Sequence, residues 1–314
     1  MKEEVNFTSR ARIIRTLGDK LISNEVAAIV ELVKNAYDAD ATKCFIKIDP
    51  QSDLIIIEDN GHGMSKADIK FRWLELGTTN KLKNKYSKSS KRKVLGNKGI
   101  GRVAASKLGS ELDIYSTIVE NGLSESIHLS GLDWKLFSDD VETEIGDIKF
   151  HLETFINDHN ESKTRLEIRS LSNNWAKDNL VILIKELRRL VSPIDDKENT
   201  FNVFLDLDSF TIDSYGFCGN ELVNGKRDLL DFSNIEKKIE NLIEPFPILD
   251  SCDYSFEGVF ENNSISGTFI INEEGIKHEL TANINREVHC GQGSIKLSIF
   301  NRDAGSITRT IGSE

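Results

Sequence analysis

The stretch ELVKNAYDADATKCFIKIDPQSDLIIIEDNGHGM, residues 31–64, contains the end of a helix, a hairpin and a carboxylate-glycine turn in immediate succession. Upstream of it, Val26, Ile29, Val30 and Val33 recur at helical spacing behind Ser23 or Asn24 as N-cap, which predicts one core-facing helix over 23–39. Glu31, Asn35 and Asp38 then stand at i, i+4 and i+7, on a single face of that helix. Residues 43–48 and 54–58 are β-rich runs parted by Asp49-Pro50-Gln51-Ser52-Asp53, so they read as a hairpin. The second run ends at Glu58-Asp59-Asn60-Gly61-His62-Gly63-Met64, where a carboxylate and two conformationally permissive glycines follow an apolar strand.

Three polar side chains on one helix face can converge on a ligand. Mg2+ prefers hard oxygens and keeps several waters, so the Asn35 carbonyl together with phosphate oxygens makes a plausible shell, and Glu31 is left to serve as a base. The same residues also suit the solvated face of an amphipathic helix. At the turn, Asp59 can accept a hydrogen bond from the exocyclic amine of adenine, where guanine presents a carbonyl. Gly63 leaves room for the ring, and Met64 offers a soft apolar contact. Asn60-Gly61 equally fits an ordinary hairpin turn, and His62 reads as exposed.

A third stretch, Gly96-Asn97-Lys98-Gly99-Ile100-Gly101-Arg102, precedes a predicted helix over 99–108. Unpaired amides and the positive end of the helix dipole then face one place, suited to polyphosphate, although such glycines also serve tight packing. The spacing is not GxxxxGK[ST], which disfavours a P-loop.

The rest of the chain supplies the frame. Helices are expected over 10–22, 65–74 and 175–191, and strands over 111–119, 124–129, 145–152, 164–169 and 201–207. Lys81, Lys83, Lys85, Lys88, Lys91, Arg92 and Lys93 make residues 75–98 a basic, polar, lid-like piece. A first domain over 1–210 is followed by strand-like runs at 254–260, 267–271, 278–284 and 295–300, so 211–314 reads as a second, strand-rich domain.

A length of 314 residues allows about two domains. A net charge of −11 argues against a uniformly basic nucleic-acid surface, while a local basic patch would stay hidden in that sum. Cys44, Cys218, Cys252 and Cys290 are scattered with no CxxC pair, so neither a zinc site nor a secreted disulfide framework is indicated. With no signal-peptide core and no apolar run of membrane-spanning length, the expectation is a cytoplasmic chain with no membrane partner. The last residues, 306–314, contain no closing element and suggest a fragment of a longer protein.

Taken in order, ELVKNAYDADA, EDNGHGMSKADI, GTTNK and GNKGIGRVAASKLG resemble the boxes of the GHKL ATPase superfamily, which includes DNA gyrase B, heat-shock chaperones, histidine kinases and MutL. The likeness is nearest to the heat-shock chaperone and microrchidia branches and covers about residues 10–207. It implies an α/β (α+β) two-layer sandwich of the Bergerat type, a mixed, largely antiparallel sheet with helices on one face, followed by a second, strand-rich, transducer-like domain. It also implies Mg2+-dependent ATP hydrolysis, with Glu31 as base, Asn35 as metal ligand, Asp59 as adenine reader and Thr164 backing Asp59. Asp38, Gly61, Gly63 and Met64 join the ATP-binding set. Thr78, Thr79 and Asn80 resemble the polar step into the lid, and Gly96, Asn97, Lys98, Gly99, Ile100, Gly101 and Arg102 the phosphate-binding turn.

In dimeric branches a basic residue from the second domain completes the site; Lys296, Arg302 and Arg309 are candidates, and the position stays unassigned. The leading expectation is a nucleotide-dependent homodimer working as a clamp or chaperone-like switch. One alternative is a nucleotide-binding module with little turnover that recruits DNA or a protein client. The other is a histidine kinase, disfavoured by Glu31 and by the lack of a preceding helical hairpin.

Overall fold

The computed structural model describes residues 9–75, 86–89, 92–96, 101–120, 123–137, 142–157, 161–191, 200–224, 241–245, 252–271, 275–284 and 292–299. The chain forms two compact units, Met1–Val191 with Lys197–Ile243, and Ser192–Asp196 with Glu244–Glu314.

In the first unit, helix α1 (Arg12–Leu21) is followed by α2 (Glu25–Asp38). Asn24 caps α2 by accepting the Ala27 N–H at 2.8 Å, so Asn24 rather than Ser23 opens the helix. At the other end Asp40 takes a left-handed conformation, φ 61°, and the Ala41 N–H reaches back to the Ala36 carbonyl. An aspartate tolerates this backbone better than most residues, and the helix stops there. The hairpin β1 (Lys43–Asp49) and β2 (Leu54–Asp59) follows, then α3 (Lys66–Asp68), which runs into a π-helical turn at Ile69–Trp73. After α4 (Gly101–Leu108) come β3 (Gly109–Glu120), β4 (Leu123–Asp133), β5 (His151–Asn157), β6 (Lys163–Leu171), α5 (Lys177–Arg188) and β7 (Asn202–Asp206). The short helices α6 (Ile212–Tyr215) and α7 (Gly219–Asn224) lie past residue 210 and still belong to this unit.

The seven strands lie in the order β5-β4-β3-β6-β2-β1-β7, antiparallel throughout except for the parallel β1–β7 pair. This is the mixed α/β arrangement expected from the sequence. Ile29, Ile46, Ile55, Ile168 and Leu180 are fully buried where α2 and α5 meet the sheet. Each such side chain contributes about 1.5–3 kcal/mol of burial. On the opposite face Phe45 stacks on Phe204 with centroids 4.6 Å apart, and Glu167 pairs with both Arg165 and Arg169.

One strand differs from expectation. The sequence pattern predicts a strand over residues 145–152, yet Ile145–Asp147 form a 3-10 turn and β5 begins only at His151. Gly146 and Asp147 favour a turn, and the segment is tied to the N-terminal arm by Ala11 N–H to Thr143 O and Ile145 N–H to Ser9 O.

The second unit contains a four-stranded antiparallel sheet, β8 (Tyr254–Glu261), β9 (Ser264–Ile271), β10 (Ile276–Asn283) and β11 (Gly293–Ile299), in the Greek-key order β10-β9-β8-β11. Its strand-rich character was expected. Asn262 and Asn263, both at positive φ, make the tight β8–β9 connection.

Candidate functional site

A cavity of about 300 Å3 opens in the first unit between the C-terminal half of α2, the end of β2 and the strands beyond it. Asn35 and Asp38 line it from α2, Asp59 from β2, Gly63 and Met64 from the following turn, and Thr164 from β6. Leu112, Leu166, Ala105 and Trp73 complete a largely apolar lining. Six residues singled out from three separate stretches of sequence therefore share one cavity.

Strand register builds the β2 wall. Asp59 faces Thr164 across β2–β6, and Thr164 faces Ser116 across β6–β3, so the three form one row at the cavity edge. Asp59 is 9% exposed, and its Oδ1 accepts the Gly61 N–H at 2.8 Å. Burial pushes its carboxyl up to about 7; the Gly61 amide opposes the rise and neighbouring Glu58 adds to it. The Thr164 hydroxyl lies 3.3 Å from the Ser116 Oγ, which also accepts the Met64 N–H at 2.8 Å.

The turn after β2 is not a hairpin, since it leads into α3. Asn60 Oδ1 accepts the Thr42 and Lys43 N–H groups, pinning the turn to the start of β1. Gly63 sits at φ 69°, and a Cβ there would meet the Thr117 carbonyl oxygen at 2.1 Å. At Gly61 a Cβ would meet the Ala39 carbonyl oxygen at 2.7 Å. Both glycines let the turn lie flat on its neighbours.

The α2 wall is different. Glu31 is half-buried and pairs with Lys34 at 2.8 Å; it stands one turn behind Asn35, off the cavity lining. Asp38 accepts the Leu95 N–H at 2.7 Å and the Gly96 N–H at 3.1 Å. Gly96 is buried, and Gly101 and Arg102 open α4. Thr78, Thr79, Asn80, Asn97, Lys98, Gly99 and Ile100 lie outside the described residues, as do most of the lid and Arg302 and Arg309. Lys296, in the second unit, pairs with Glu257 at 3.1 Å.

Two features were not singled out from the sequence as site residues. Ser116 is one of many strand serines and gains its place only through register. Arg92 was one cation among many in the lid, yet it is 7% exposed, lies 4.9 Å from the centre of the Tyr37 ring and donates to the Ala41 carbonyl.

Among the described residues no group of three His, Cys, Asp or Glu side chains could hold a metal ion by itself, and no helix is long and apolar enough to cross a membrane. The Asn35 amide at the cavity wall instead suits a Mg2+ whose other ligands are phosphates and water.

Fold and site define a class, and residues 22–164 match the family of histidine kinase-, DNA gyrase B-, and HSP90-like ATPases. Residues 22–164 thus form a domain of the GHKL superfamily. Over 100 residues it is 39% identical to the "Putative type II restriction enzyme HgiDII" of Herpetosiphon aurantiacus, a stretch that makes up 32% of this chain and 16% of that protein.

Proposed function

We propose that the first unit binds ATP with Mg2+ in this cavity and hydrolyses it, and that nucleotide binding drives homodimerisation. The observation that carries the reading is a buried carboxylate, Asp59, at the edge of an apolar cavity whose facing wall bears Asn35. Asp59 accepts the exocyclic amine of adenine, Leu112, Leu166 and Met64 cover the ring, and Ser116 with Thr164 holds the turn in register. When bound, Mg2+ neutralises phosphate charge and orients the triphosphate. The Asn35 carbonyl would help to hold the ion, and Glu31 orients and deprotonates the attacking water, with the Lys34 ammonium beside it.

Glu31→Ala tests the hydrolytic role. ATP binding is expected to persist while phosphate release falls about a hundredfold or more. Unchanged turnover removes Glu31 from catalysis. Light scattering with a nonhydrolysable ATP analogue is expected to show a dimer, and a monomer alone counts against the switch.

The likeness to the Herpetosiphon protein favours a second reading, in which ATP occupancy recruits or gates a DNA-acting assembly with little turnover. Second-unit variants that abolish an ATP-dependent DNA activity while leaving phosphate release intact support it.

A further inference from the structure

We propose that Asp38 and Arg92 are positioning residues that hold the chain's entry into the phosphate-binding stretch; this rests on the nucleotide reading above. Asp38 lines the cavity, yet both of its carboxylate oxygens are engaged, Oδ1 by the Leu95 N–H at 2.7 Å and Oδ2 by the Gly96 N–H at 3.1 Å. Gly96 is the first residue of the glycine stretch 96–102. A carboxylate that faces a triphosphate without such donors repels it, whereas two charge-assisted amide bonds offset much of that charge and fix the backbone.

Three further contacts tie the same segment to the end of α2. The Asp40 Oδ2 accepts the Ser89 N–H at 2.7 Å. Arg92 Nη1 donates to the Ala41 carbonyl at 2.6 Å, and its guanidinium lies over the Tyr37 ring of α2. The segment also closes on itself, with Ser87 N–H to Arg92 O at 2.8 Å and Arg92 N–H to Ser87 Oγ at 2.9 Å. The helical turn that lines the nucleotide cavity thus also sets where the backbone at Leu95 and Gly96 lies. Asp38 acts through the Leu95 and Gly96 amides and Arg92 by fixing the segment before them, both on the phosphate end of the ligand alone.

The test compares wild type, Asp38→Asn, Asp38→Ala and Arg92→Met. ATP and adenosine affinities are measured by calorimetry, and amide exchange of a peptide spanning residues 93–97 is followed in the nucleotide-free protein. Asp38→Ala is expected to speed that exchange and weaken ATP binding about tenfold or more, with adenosine affinity within about twofold of wild type. Asp38→Asn keeps one acceptor and should show a smaller change in the same direction, which also covers a poorly folding alanine variant. Arg92→Met keeps the packing, loses the donor and should follow Asp38→Asn.

Equal losses for adenosine and ATP overturn the inference in favour of a general structural role. Tighter ATP binding by Asp38→Asn overturns it in favour of simple repulsion, and unaltered exchange overturns it directly. Failure of the wild type to bind either ligand sinks the nucleotide reading, and the inference with it. Faster exchange with unaltered ATP affinity sinks the inference alone.

Discussion

On the β2 wall of the cavity Asp59 and Ser116 are buried and aligned by strand register, whereas on the α2 side Glu31 and Asp38 are half-buried and held by a side-chain pair and two backbone amides. Asp59, Thr164 and Ser116 occupy one row across three strands, so a one-residue slip would carry all of them to the opposite face of the sheet. Glu31 and Asp38 owe their positions to Lys34 and to two backbone amides. Under the proposed function the first wall would face the flat adenine ring and the second the charged phosphates.

Breaking the β2 wall should have the largest effect. Gly63→Ala places a methyl group 2.1 Å from the Thr117 carbonyl at a positive φ, so it is expected to cost on the order of 2–4 kcal/mol and to abolish nucleotide binding. Thermal unfolding reads the first effect and calorimetry the second. Gly146→Ala, where a Cβ meets nothing within 4 Å, should change stability by less than about 0.5 kcal/mol. Comparable losses from the two would mean that the turn after β2 is not a special position.

The pH dependence sharpens the comparison. The Asp59 carboxyl is raised to about 7 in the folded protein, above its ordinary value near 4. Between those values the folded state holds a proton that the unfolded chain has released, so this group's contribution to stability is full below about pH 4 and is lost as pH rises through about 7. Adenine binding runs the opposite way, because the ionised carboxylate is the better acceptor. Adenosine affinity should therefore climb as pH rises from about 6 to about 8, and Asp59→Asn should flatten both trends. Adenosine is the probe because its own groups do not titrate in this range. A flat affinity profile in the wild type removes Asp59 from base recognition.

The smallest effect should come from Ser116→Ala, which removes the acceptor of the Met64 N–H and the partner of Thr164. A loss of about 1 kcal/mol in stability, with a few-fold weaker adenosine binding, is expected from denaturant unfolding and calorimetry.

Much of this arrangement was legible in the sequence because helix spacing and the strand-glycine turn are local signals. The period of Val26, Ile29 and Val33 points to α2, and the β-rich run of residues 54–58 to β2 with Asp59 at its end. Register and tertiary contacts were not legible. Ser116 is indistinguishable from other strand serines until β3 pairs with β6, and Arg92 reads as a solvated lysine-rich loop residue until it folds onto Tyr37. The turn at Gly146-Asp147 was hidden by the apolar residues around it, and α6 and α7 are too short for a periodic pattern.

The most direct test of the central assignment is the affinity of the wild type and of Asp59→Asn for ATP and for GTP, measured side by side with Mg2+. The wild type is expected to prefer ATP by at least about tenfold, and Asp59→Asn to lose most of that preference by weakening ATP binding. Equal wild-type affinities for the two nucleotides, or an ATP preference that survives the substitution, contradicts the assignment of this cavity as an adenine site read by Asp59.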